Sequence, residues 1–176
     1  MRTNLVALAV LAIVLVSVIA YTRAQTTNLS LPVRTGVCLG QGASFTMALS
    51  ASELSNIYAW QFNVTYPANQ VVLTAVAFGA PFTGSGTYGS YLNKTGSVVP
   101  YITFEGSSNT YSSASPVTMV TFTFKTLIRN IQAGFHIVLK SENSAMGSIL
   151  LGPDPFTSQT YTTTDGQESC SQSPSP

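Results

Sequence analysis

Charged side chains are scarce in this 176-residue sequence: only 7% of the residues are Asp, Glu, Lys or Arg, against about 25% in an average soluble domain. Disordered chains combine low hydrophobicity with high net charge, whereas this chain is 45% hydrophobic with a formal net charge of +1. The composition therefore predicts a folded domain with a full core. The small net charge also argues against a nucleic-acid partner.

Residue types that commonly carry out catalysis are few as well. The sequence has one histidine, His136, and two cysteines, which is too few for the usual four-ligand Cys/His metal site. Its six carboxylates are scattered, without the pairing that glycosidases use or the spacing of a calcium loop. We therefore expect a protein that is not an enzyme and holds no metal or other cofactor.

Residues 84–89 (GSGTYG) match the G-x-G-x-x-G pattern of dinucleotide-binding sites. Such a site needs a helix directly after the glycines, and no helical periodicity follows here. We interpret this segment as a flexible loop between strands.

A long apolar run lies near the N-terminus, over residues 5–20. Arg2 precedes it and a small residue, Ala24, follows it, an order typical of a secretory signal peptide. Residues 1–24 are therefore predicted to be removed, which makes the rest extracellular or cell-surface. Retention as a membrane anchor is the alternative, although the run is shorter than the ~20 residues of a membrane span.

Three Asn-X-Ser/Thr sequons agree with export, at Asn28, Asn63 and Asn93. Each is a candidate N-glycosylation site, although a chain rich in Ser, Thr and Asn also forms sequons by chance. Asn63 is expected on the outer face of its strand. An even cysteine count in an exported chain predicts one disulfide, between Cys38 and Cys170; two free thiols are the alternative.

Beyond the N-terminal segment, apolar residues alternate with period two and no helical periodicity occurs. Turns rich in glycine and proline separate the alternating runs. We predict an all-β fold over residues 25–170, an antiparallel β-sandwich of eight or nine strands after an N-terminal signal helix. A Ser/Pro tail over residues 171–176 follows. Strands are expected over residues 28–33, 44–50, 58–66, 71–78, 98–104, 119–125, 135–140 and 160–164.

Three tyrosines fall in predicted loops: Tyr88 and Tyr91 in the glycine-rich loop, and Tyr111 in a serine-rich loop. Exposed aromatic side chains at loop tips can contact a protein partner or stack on sugar rings. They are therefore possible partner contacts, the simpler alternative being that they only pack their loops down. Trp60 falls on the inward face of its predicted strand and is assigned to the core.

The run over residues 56–82 resembles the cohesin domain and its relatives among carbohydrate-binding modules. The first strand of this run has the apolar, Phe and Tyr residues at the spacing that the family shows. The second strand ends in a turn of the form apolar-x-x-Gly. Residues 101–104, 119–124 and 134–139 are similar to the family's later strands. The matching positions are Ile57, Phe62, Val64, Tyr66, Val76, Gly79 and the closing Asp165-Gly166 pair.

This resemblance implies a jelly-roll sandwich in which the first and last strands run side by side in parallel. Cys38 and Cys170 would then meet at one edge. It also implies a non-catalytic module that binds a protein or a polysaccharide. The family's acidic turn residue is Pro67 here, and no dockerin-contacting residue can be carried over.

Two functions follow from these observations. The first is a secreted or cell-surface binding module that recognises a protein or polysaccharide partner. The second is a structural subunit of an extracellular filament or surface layer, self-associating by exchange of the strand over residues 25–33.

Overall fold

The computed structural model describes residues 26–36, 38–106, 109–143, 145–153 and 157–170. The predicted signal segment over residues 1–24 and the tail over residues 171–176 lie outside the described residues. Within the described ranges, no helix has the length and apolar character needed to cross a membrane.

The described residues form a β-sandwich, as predicted, but they contain fifteen short strands rather than the expected eight or nine. The difference arises because some expected strands are broken into shorter ones and other strands were not expected. The strands are β1 (Thr27–Ser30), β2 (Val33–Thr35), β3 (Ser44–Ser52), β4 (Leu54–Ile57), β5 (Ala59–Gln61), β6 (Val64–Thr65), β7 (Val71–Phe78), β8 (Thr87–Lys94), β9 (Ser97–Phe104), β10 (Tyr111–Ser113), β11 (Val117–Thr126), β12 (Gln132–Ile137), β13 (Ile149–Leu151), β14 (Tyr161–Thr164) and β15 (Gly166–Ser169), and a short 3-10 helix spans Ala80–Phe82. One sheet has the order β14-β1-β3-β11-β7, and the facing sheet the order β13-β5-β9-β6-β12-β15-β2, with β8 paired to β9 and a separate β10–β4 ladder.

The first predicted strand is in fact two strands in different sheets. β1 pairs in parallel with β14 and antiparallel with β3, whereas β2 pairs in parallel with β15. Pro32 lies between them and has no N–H to continue a ladder, so the chain crosses from one sheet to the other there. The parallel pairing of first and last strands is confirmed. Because β1 is paired on both sides within its own domain, it is not a free strand for exchange.

Cys38 and Cys170 form a disulfide, as predicted. Cys38 follows β2 and Cys170 follows β15, so the parallel pairing of these two strands brings the thiols to the same edge. The Gly36 N–H donates to the carbonyl of Ser169 at 2.9 Å, which extends this pairing toward the disulfide.

The expected strand over residues 58–66 is interrupted between β5 and β6. Phe62 and Asn63 lie in the break and both are buried, which shifts the alternation of inward and outward side chains. Asn63 is only 5% exposed, and its Oδ1 accepts a hydrogen bond from the Ser97 hydroxyl at 2.8 Å. The prediction that Asn63 faces outward is therefore wrong.

Residues 87–94 form strand β8, where the sequence predicted a glycine-rich loop. β8 pairs with β9 along its whole length, from Thr87 opposite Phe104 to Lys94 opposite Ser97. Tyr88 and Tyr91 therefore lie on an edge strand rather than at a loop tip. A strand rather than a helix follows Gly86, so the structure lacks the helix on which a dinucleotide site depends.

Aromatic rings fill much of the core between the sheets. Trp60 stacks on Phe62 with ring centroids 4.7 Å apart and meets Phe82 edge-on at 5.6 Å. A second group joins Phe45, Phe124 and Phe135. Trp60 is thus a core residue, as predicted.

Candidate binding surface

The paired strands β8 and β9 form one border of the second sheet, and part of their outer surface faces solvent. Successive residues of a strand point to opposite sides of the sheet. Tyr88, Ser90 and Leu92 therefore point to one side of the sheet, together with the β9 residues that pair with them. Tyr101 lies opposite Ser90 and is therefore the diagonal neighbour of both Tyr88 and Leu92, at about 7–8 Å. We call the surface formed by Tyr88, Leu92 and Tyr101 the tyrosine face.

All three side chains of the tyrosine face are open to solvent. Tyr88 is 63% exposed, Leu92 49% and Tyr101 39%. The same side of the sheet continues across β5, where Gln61 pairs with Tyr101, and onto β13, where Ile149 pairs with Gln61. The result is a broad sheet face with aromatic and apolar side chains at one border.

Charges lie only at the two ends of this border. Lys94 closes β8 at one end, and Glu105 follows β9 at the other; residues 87–93 and 98–104 between them are uncharged. The nearby Glu105 carboxylate raises the pKa of the Tyr88 phenol, first as a hydrogen-bond acceptor and then through its charge. Tyr88 therefore stays neutral at physiological pH, and the tyrosine face offers ring surfaces and hydroxyl groups rather than charges.

The structure brings only one of the three predicted tyrosines onto this face. Tyr91 lies opposite Pro100 on the other side of β8, with 43% of its surface exposed at the sheet edge. Tyr111 packs edge-on against Phe82 at 5.3 Å, so it belongs to the core packing. Sequence analysis missed Tyr101, although its outward position follows from alternation with the buried Ile102.

His136 is held between two carboxylates on the surface. Its Nδ1 lies 2.6 Å from Asp165 Oδ2, and its Nε2 lies 3.1 Å from Glu142 Oε2. The Asp165 hydrogen bond is the main cause of a raised pKa for His136; burial opposes it, and Glu142 adds to the rise. Because both ring nitrogens face carboxylates, the ring is not placed to activate a hydroxyl nucleophile.

We call this group of His136, Asp165 and Glu142 the histidine clasp. The Asp165 carboxylate also accepts a hydrogen bond from the Ile137 N–H at 2.9 Å. The clasp thereby joins the end of β12 to the β14–β15 junction and to the turn that carries Glu142. Across the ranges that the structure describes, no group of three or more His, Cys, Asp or Glu side chains is arranged to hold a metal ion.

Glu168 on β15 is a fully buried carboxylate. Arg34 on the neighbouring β2 approaches it, with Nη1 at 3.8 Å from Oε2. Burial raises the pKa of Glu168, and the Arg34 charge partly offsets this. The pair links the two parallel strands that lead to the disulfide.

Comparison with solved structures shows that this sandwich is similar in fold to cohesin domains. A non-cellulosomal cohesin from the archaeon Archaeoglobus fulgidus superposes with a TM-score of 0.62 at 13% identity, over 81% of this chain and 88% of that one. The chain has the cohesin fold. The sixth cohesin of Acetivibrio cellulolyticus scaffoldin B, in complex with the Cel5 dockerin, gives 0.62 at 19% identity, over 81% and 96%. The cohesin CaCohA2 from Clostridium acetobutylicum gives 0.63 at 12%, over 83% and 91%.

No protein-family model matches the sequence, and no curated protein matches it. The residues behind the cohesin resemblance nevertheless have definite structural roles. A Cβ on Gly79 would lie 1.8 Å from the carbonyl oxygen of Thr118, and one on Gly166 would lie 2.6 Å from the Leu31 Cβ. These two glycines are positions where neighbouring chain segments approach too closely for any side chain.

Proposed function

We propose that this chain is an exported, non-catalytic protein-binding module whose partner docks on the tyrosine face. The observation that carries this proposal is the exposure of Tyr88, Leu92 and Tyr101 together on one sheet face. Tyrosine is enriched among the residues that dominate interface energies, because it supplies a large rigid surface and a polar hydroxyl. A flat sheet presents these side chains without the cost of ordering a loop.

The similar structures support a protein as the partner. The A. cellulolyticus cohesin is in complex with a dockerin, and so is the third ScaC cohesin of the same organism. A protein that presents an apolar surface with hydrogen-bonding groups would complement the tyrosine face. Because charges lie only at its ends, we expect an association rate set mainly by diffusion and orientation, with little dependence on salt.

Export is supported by two features of the chain. The signal-like segment over residues 1–24 precedes the domain, and the Cys38–Cys170 disulfide is typical of an oxidising compartment. Placement outside the cell would expose the tyrosine face to partners at the cell surface.

Site-specific crosslinking in the producing organism tests this proposal. A photoreactive residue at Tyr101 should capture a discrete protein in the extracellular or surface fraction. The same group at Thr162, which is exposed on β14 in the other sheet, is the matched control and should not. Capture of polysaccharide alone, or equal capture at both positions, would refute docking of a protein on the tyrosine face.

The captured protein is then purified and titrated with variants. Tyr101→Ala and Tyr88→Ala should each weaken binding by about tenfold or more, the loss typical of a central interface tyrosine. Tyr91→Ala removes a tyrosine that is about as exposed as Tyr101 but lies on the opposite side of β8, and it should change Kd by less than about twofold. A larger loss for Tyr91→Ala would assign the binding surface to the strand edge.

A further inference from the structure

A depression of about 360 Å³ lies at the end of the sandwich where β8 turns into β9. Its lining includes Tyr66, Val72, Asn93, Thr95 and Leu127. Asn93 and Thr95 belong to the third sequon, so a glycan acceptor stands at the wall of this depression. It lies apart from the three residues of the tyrosine face.

The floor of the depression is apolar and partly uncovered. Val72 is 41% exposed and Leu127 40% exposed, and the buried Tyr66 lines the same depression. The Tyr66 hydroxyl lies 3.4 Å from Asn93 Oδ1 and 3.3 Å from the Lys94 carbonyl oxygen. This contact holds the Asn93 amide by its oxygen and leaves the nitrogen, Nδ2, as the atom to which a sugar would be joined.

We propose that Asn93 carries an N-linked glycan whose first sugar, an N-acetylhexosamine, is seated in this depression. Such a sugar has an apolar ring face, which suits Val72 and Leu127, and hydroxyl and amide groups, which suit Lys94 and Thr95 at the rim. A covalent anchor would keep this sugar at the depression, because the linkage atom belongs to Asn93, a residue that lines it. The glycan would also cover two exposed apolar side chains.

The sugar donor is a polyprenyl diphosphate-linked oligosaccharide. The bond between Asn93 Nδ2 and the anomeric carbon forms as that carbon's bond to the diphosphate oxygen breaks. The lipid diphosphate leaves with the bonding electron pair, and the amide nitrogen loses one proton. The acceptor needs to be accessible, and Asn93 is exposed near the end of β8, shortly before the tight turn in which Gly96 has a φ of +79°.

The other two sequons differ in ways that provide internal comparison. Asn63 is buried, as described above. Asn28 is exposed on β1 but lies between Ser52 on β3 and Thr162 on β14, whose small polar side chains offer no apolar wall. A glycan on Asn28 would therefore extend freely into solvent.

The test uses residues 25–176, fused to a secretion signal and produced in a eukaryotic host that carries out N-glycosylation. This segment includes all described strands and both cysteines. Glycopeptide mass spectrometry gives the occupancy of each sequon. A peptide:N-glycosidase is then applied to the native and to the denatured protein. Asn93 should be modified. In the native protein, the enzyme should release its glycan at least about tenfold more slowly than the glycan at Asn28. A tenfold difference corresponds to about 1.4 kcal/mol of stabilisation of the seated sugar. After denaturation the two rates should agree.

Leu127→Ser and Val72→Ser remove the apolar floor and should bring the native release rate at Asn93 close to that at Asn28. Val33→Ser, which changes an exposed valine that does not line the depression, is the matched control and should leave the rate unchanged. An unmodified Asn93, equal native release at the two sites, or floor variants without effect would each overturn the proposal. None of these outcomes bears on the tyrosine face, so this inference stands or falls separately from the proposed function.

Discussion

The charge of His136 is set by its two carboxylate neighbours. Asp165 and Glu142 favour the protonated ring. The pKa of Glu142 is lowered, first by the hydrogen bond that the Leu139 N–H donates to its carboxylate; burial opposes this, and the hydrogen bond and charge of His136 add to the lowering. The stabilisation of the folded state by His136 is fully present below the ordinary pKa of histidine and is lost as pH rises through its raised folded-state pKa. The stabilisation by Glu142 is present above the ordinary carboxyl pKa and is lost as pH falls through its lowered folded-state pKa. The histidine clasp is therefore strongest in mildly acidic solution.

Replacing His136 with glutamine should lower the free energy of unfolding at about pH 5.5 by up to about 1 kcal/mol, and by much less at about pH 9. The effect is small because all three side chains are nearly half exposed and screened by water. Urea denaturation at both pH values measures it, with Arg129→Gln as a control for loss of one positive charge. A loss that is the same at both pH values would mean that packing, not charge, holds the clasp.

Strands with clear alternation were predictable, and strands without it were not. β7 spans the predicted residues 71–78, and β11 extends its predicted run by only a few residues. β8 was missed because it lies at a sheet edge, with seven of its eight residues exposed, so no inward set of apolar residues marks it. β15 was missed because its buried positions include Glu168 and Ser169 rather than apolar side chains.

Gly79 marks the contact between the end of β7 and β11. Its φ of −64° is open to any residue, so the close approach to Thr118 is what requires glycine. Gly79→Ala should cost at least about 3 kcal/mol, as expected when a side chain is forced against backbone. Gly134→Ala is the matched control: nothing lies within 4 Å of its Cβ position, and a small gain of about 0.4–1 kcal/mol is expected. Thermal and urea unfolding of both variants distinguish the two cases, and similar results would contradict the contact.

At the scale of the whole molecule, the sandwich, its parallel terminal strands and the disulfide could be predicted from the sequence and its cohesin resemblance. The tyrosine face could not, because it depends on register: Tyr88, Leu92 and Tyr101 come together only when β8 pairs with β9 in one alignment. The burial of Asn63 also escaped prediction, because the break between β5 and β6 is set by hydrogen bonds to distant residues such as Ser148.

The disulfide joins residues that are 132 positions apart. Replacing both Cys38 and Cys170 with serine should lower the free energy of unfolding by about 2–5 kcal/mol, because the unfolded chain regains the freedom of a long loop. Urea unfolding measures this loss. Reductant should destabilise the wild-type protein to the same level and leave the double variant unchanged; a reductant effect on the double variant would point to another cause.

The same disulfide fixes how the domain would respond to mechanical load. A pull on the two ends of the described chain enters at β1 and at Cys170 and passes through the disulfide directly to Cys38. Residues 39–169 then lie outside the path of the force, and only the short segment that contains β1 and β2 can extend. β1 is paired in parallel with β14, and β2 with β15. The force therefore acts along these strands, so the several hydrogen bonds of each pair would have to break together. Under tension, the domain would lengthen little and keep its tyrosine face intact.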